Sequence, residues 1–152
     1  MIEITLKELN ACYGELTGFC SQPLPKGQGD LTRRLSRILR TAKKAIEIWN
    51  DDQKRISEAY GFRIMGQGQV APLKAGETIT PETLSLFEKE IEVLLKADMV
   101  KFRGEPLTKD EWDAIKETIS YSANTLDALL WLIPDFEAEQ EEKKTHAAGG
   151  GV

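Results

Sequence analysis

The chain has 152 residues, 41% hydrophobic and 30% charged, and 25 acids against 20 lysines and arginines leave a formal net charge of −5. That length suits one domain with a real hydrophobic core, and the composition excludes the fibrous and wholly disordered classes. No apolar run approaches the ~20 residues of a membrane span, and MIEITLKELN lacks the basic start and apolar core of a signal peptide, so the expectation is a cytoplasmic protein without a membrane partner.

Ile2 and Ile4 alternate with Glu3, which predicts a short strand. Thr5 and Glu8 then make a capping box, in which hydroxyl and carboxylate satisfy each other's backbone N–H groups. Leu6, Leu9, Tyr13, Leu16 and Cys20 follow at helical spacing, although Gly14 and Gly18 each weaken such a helix by about 1 kcal/mol. SQPLPKGQG, residues 21–29, breaks the helix with two prolines and two glycines.

Asp30 is the expected cap of a long helix over 31–60, with Gly61 as its stop. Leu35, Ile38, Ala42, Ala45, Trp49, Ile56 and Tyr60 share one stripe of it. Residues 62–79 alternate weakly among glycines and read as a poor hairpin or a loop. Thr80-Pro81 restarts a helix on which Leu84, Phe87, Ile91, Leu94 and Leu95 face one way. MVKF, 99–102, is a short strand that could pair with Ile2–Ile4 or with 62–70.

Thr108 with Glu111 forms a second capping box, ahead of Trp112, Ile115 and Ile119. Ser122 caps a final helix on which Leu126, Leu129, Leu130 and Ile133 line up before Pro134. Residues 135–152 hold five acids, two lysines and three consecutive glycines, a composition too poor in apolar area to order itself. The predicted organisation is a single mainly α-helical domain over 1–134, one long helix packed with two to four shorter ones plus a small β element, followed by a disordered acidic tail.

This order of segments resembles a family of small bacteriophage proteins with no assigned function. An ITLKELNA-like opening, the arginine-rich RLSRILR helix ending in ISEAYG, the Phe87–Glu90 and Leu94–Leu95 pattern, PLT at 106–108 and the leucine-rich end carry the likeness over residues 1–134. It implies a phage or prophage origin and brings no catalytic residues.

Cys12 and Cys20 lie eight apart on a predicted helix, which is neither a metal nor a redox spacing, and they read as small core hydrophobes. The single histidine, His146, sits in the polar tail, so catalytic triads and imidazole-based zinc sites have no residues to use. Glycines at 27–29 and 66–68 lack the strand–loop–helix setting of a phosphate loop. Glu88 and Glu92 share a helix face but make a poor metal site without a third ligand. Trp49, Trp112 and Trp131 occupy apolar-stripe positions and are expected in the core. The reading is non-enzymatic, with no cofactor and no metal.

One surface stands out. LTRRLSRILRTAKK, 31–44, places six cations in fourteen positions. Arg37, Arg40 and Lys44 fall within about 40° of Arg33 on a helical wheel, opposite the apolar stripe. Arg33, Arg34 and Arg37 also sit in the first two turns, where the helix dipole disfavours cations. Arg33, Arg34, Arg37, Arg40 and Lys44 are thus either an ordinary solvated face or a surface for an acidic or phosphate-bearing partner. The net negative charge opposes general DNA coating. The expected function is protein–protein binding, as a virion-assembly accessory or a host modulator, with self-association compatible. Nucleic-acid or nucleotide-phosphate binding through the arginine stripe is the alternative.

Overall fold

A computed structural model describes residues 1–137. Its order is β1 (Ile2–Thr5), α1 (Leu6–Cys20), α2 (Gly29–Ala59), β2 (Phe62–Ile64), a 3₁₀ turn (Gly66–Gly68), β3 (Val70–Pro72), α3 (Pro81–Ala97), β4 (Met99–Phe102), α4 (Lys109–Ile115) and α5 (Ala123–Ala128). The chain is mainly helical, with one helix far longer than the rest and two small two-stranded sheets, β1–β4 and β2–β3. MVKF therefore pairs with Ile2–Thr5 and not with the 62–70 segment. All of the expected acidic tail except Asp135–Glu137 lies outside the described residues.

The predicted caps are in place. The Glu8 amide donates to Thr5 Oγ1 at 3.0 Å and the Thr5 amide to Glu8 Oε1 at 3.4 Å, which sets the first turn of α1. Thr80 accepts from the Thr83 amide with Pro81 in the first turn, and Thr108–Glu111 closes a full capping box. Ser122 and Thr125 close another. Helix α2 differs at its start. It begins at Gly29, and the Gln28 carbonyl takes both the amide and the hydroxyl of Thr32 at 2.9 Å. Asp30 lies inside the first turn, where its charge complements the helix dipole. Gly61, at φ 78°, ends the helix in the left-handed region, as its sequence position requires.

The described residues divide into two compact units. Met1–Ile2, Ala11–Leu39 and the chain from Lys101 onward form the first, and Glu3–Asn10 with Arg40–Val100 form the second. In the first, Cys12, Leu16 and Phe19 of α1 are buried, as are Leu31, Leu35 and Ile38 of α2. Phe102, Leu107, Ile115, Leu129 and Leu132 are buried with them, and Phe102 stacks on Trp131 at 5.2 Å between ring centroids. Burial pushes the Cys20 thiol up to about 12, so it stays protonated and unreactive.

In the second unit, Leu9, Ala42, Ile46, Trp49, Phe62 and Phe87 are buried. Phe62 and Phe87 meet edge to face at 5.5 Å, and Tyr60 packs on both. The hairpin is real but short, three residues to a strand, with Ile64 opposite Val70 and the Met65 amide closing onto the Gln69 carbonyl. On α3 only Phe87 is fully buried, and Leu84, Ile91, Leu94 and Leu95 are half-buried. The Glu92 carboxylate bonds both Lys7 and Lys96, and the Lys7 ammonium is the main cause holding it below the usual carboxylate range.

The last leucines depart from expectation. Helix α5 ends at Ala128, and Leu129 (φ −112°, ψ 27°) has left the helical conformation. The residues beyond no longer step by 100°. Leu129 and Ile133 are buried while Leu130 is half exposed, so the expected row of four leucine-type side chains is broken at its third member.

Two outcomes test this packing. Gly14 and Gly18 lie inside α1 with open space where a Cβ would stand. Gly14→Ala and Gly18→Ala should each stabilise the chain by about 0.5–1 kcal/mol in urea melts. Trp49→Ala removes an indole that is 4% exposed and should cost about 3–5 kcal/mol by the same measurement.

Candidate functional site

The cationic residues of α2 do not share one fate. Arg33, Arg37, Arg40 and Lys44 are exposed. Arg34 is not part of an open surface. Its Nη2 donates to Glu111 Oε1 at 2.8 Å, and both side chains keep little more than a quarter of their exposure. The same oxygen accepts from the Thr108 amide at 3.0 Å, so one carboxylate closes the α4 cap and holds α4 to α2. The stem of Arg34 packs where a Cβ on Gly104 would stand, 3.5 Å away, and Gly104 itself has φ 118°. Glycine is suited there by conformation, since a Cβ would meet the Arg34 stem only at ordinary contact distance.

Two further polar pins hold the same unit. The Gln22 side-chain amide donates to the Ser120 carbonyl and its oxygen accepts from the Ser120 amide, both at 2.6 Å. Thr125 Oγ1 donates to Glu15 Oε2 at 2.8 Å. These bonds join residues 98 and 110 positions apart. Helices of seven and six residues are too short to persist alone, so α4 and α5 need such anchors as well as their buried side chains.

Pinned in this way, α4, α5 and the segment after Pro134 line a cleft of about 580 Å³. Trp112, Tyr121, Leu126, Leu130, Ile133 and Phe136 give it an apolar lining. Trp112 and Tyr121 meet edge to face at 5.0 Å. Tyr121 is 41% exposed and Leu130 50%. Around them stand Asp113, Glu117, Asp127, Asp135 and Glu137, against Lys109 and Lys116. Lys116 bonds Asp113 at 3.0 Å, and that contact is the main cause holding its ammonium above the ordinary value. A smaller groove of about 190 Å³ in the second unit runs past Ile48, Trp49 and Met99, with Asp52 and Asp98 beside it.

The sequence placed the arginines correctly on the side of α2 away from its apolar stripe but missed the cleft. Leu130 was expected on a buried row, Trp112 is buried as expected and also borders the cleft, and Tyr121 had no role. The only local hint was that Glu117 falls four residues after Asp113; the stop of α5 before Leu129 is seen only in the structure. Among the described residues, no group of three or more histidine, cysteine or carboxylate side chains could hold a metal ion. None of the described helices is long and apolar enough to cross a membrane. No protein-family model, curated protein or solved structure matches the chain.

The Arg34 guanidinium is the main cause holding the Glu111 carboxyl below the usual carboxylate range. A group whose pKa is lower in the folded than in the unfolded state adds stability above its unfolded value, near ~4.3 for glutamate, and that stability is lost as pH falls through the folded value. Arg34→Met should therefore lower stability by about 1–2 kcal/mol at neutral pH, and the gap to the wild type should close in acid. An equal gap in urea melts at neutral and acid pH would trace the loss to packing instead of to the ion pair.

Proposed function

We propose that this chain is a small, non-enzymatic phage protein that acts by binding another protein. The phage assignment rests on the resemblance of residues 1–134 to that family. The non-enzymatic assignment rests on a residue inventory whose single histidine lies at position 146. The observation that carries protein binding is the cleft of the first unit, where the exposed Leu130 and Tyr121 stand beside the buried Trp112. Aromatic side chains beside an apolar recess are common anchors of protein interfaces. A place of action in the host cytoplasm and an accessory or modulating role follow from the same reading, and self-association is compatible with it.

The second reading is nucleic-acid or phosphate binding through Arg33, Arg37, Arg40 and Lys44, which the exposure of all four favours. With Arg34 engaged by Glu111, that surface is smaller than the sequence alone implied.

A double substitution separates the two readings. Arg33→Glu with Arg37→Glu should leave stability within about 0.5 kcal/mol per site, because both side chains are exposed. Proteins retained on the immobilised chain from nuclease-treated lysate should still be retained by the double variant and lost by Leu130→Asp. Retention that disappears with nuclease, weakens with salt and follows the arginines instead would support the second reading.

A further inference from the structure

We infer that the cleft of the first unit takes a basic segment of a partner protein, one carrying a large apolar side chain between lysines or arginines. This rests on the protein-binding reading and gives the partner its chemistry. Five carboxylates and two lysines line the cleft, and one of those lysines is already bonded to Asp113. The remaining excess of negative charge surrounds an apolar lining in which Leu130 and Tyr121 are open to water.

The two features ask for different parts of one ligand. An apolar anchor gains by leaving water against Tyr121, Leu126 and Leu130, which keep exposed surface. It cannot satisfy the carboxylates, so an apolar segment alone would leave the excess of carboxylates over lysines at the edge of a dry contact, an arrangement that costs affinity. An acidic segment or a nucleic acid would meet those carboxylates with like charge, which excludes it. A lysine or arginine on each side of the anchor pairs with them, and its cation can also lie against the Tyr121 ring. The volume of about 580 Å³ accommodates the anchor and its flanking stems without rearranging α4 or α5.

The test uses the full chain and a short fluorescein-labelled peptide with one leucine flanked by lysines, followed by anisotropy. The peptide should bind, with affinity falling as salt rises. Replacing its leucine by alanine, or its lysines by glutamate, should weaken binding at least about tenfold. Leu130→Asp and the pair Glu117→Lys with Asp127→Lys should each do the same, and all three positions are exposed, so the fold survives. Amide shifts on titration should concentrate in residues 109–137. Equal binding by the glutamate peptide, or lysine-peptide binding indifferent to Leu130→Asp, overturns the inference. If no lysine peptide binds while Leu130→Asp still abolishes capture of proteins from nuclease-treated lysate, the protein-binding reading stands and the basic partner is wrong. If that capture is also indifferent to Leu130→Asp, the cleft is not the binding surface and both fail.

Discussion

The apolar stripe of α2 is the constraint on which the other elements depend. Leu31, Leu35, Ile38, Ala42, Ile46 and Trp49 are all buried along a single helix of 31 residues. Its first eleven residues belong to one unit and the rest to the other, so each unit assembles its buried set against the same element. A helix of this length satisfies its own backbone almost throughout, and its stability comes from the face it buries. The polar residues opposite follow from that geometry, since a stripe that buries must leave another side in water. The arginines at 33, 37 and 40 are therefore exposed by necessity before they are exposed for any use.

Arg34 shows how one position on that helix is drawn out of the series. It sits between the solvated side and the stripe, close enough to Glu111 to share a charge. Glu111 was already committed to the cap of α4, so the ion pair adds a tertiary tie to a local motif without another residue. With the Gln22–Ser120 and Glu15–Thr125 bonds, it supports two helices that propensity alone would not maintain. The cleft lies between these short helices. Their brevity is what opens it: where α5 stops, the chain turns, and Leu130 comes out of the row its spacing would have given it.

The lining of the cleft mixes aromatic and aliphatic side chains with charged ones. The groove near Ile48 and Met99 repeats the combination on a smaller scale, with Asp52 and Asp98 beside apolar side chains. The exposed arginines of α2 form a separate surface of opposite sign.

The sequence by itself determined the helices, their caps and the solvated side of α2. Those features are written in spacings of three and four and in residues such as Thr5, Glu8, Thr108, Glu111 and Gly61, whose bonds and backbone angles are local. It also determined the mainly helical class, because the stripe of α2 admits no other way to bury its large side chains. Only the tertiary structure decided that β4 pairs with β1, that Arg34 reaches Glu111 across 77 positions, and that Gln22 holds Ser120. It alone exposed Leu130. The physical reason is common to all of these: each depends on contacts between residues distant in sequence, or on where a short helix stops, and a periodic pattern carries no information about either.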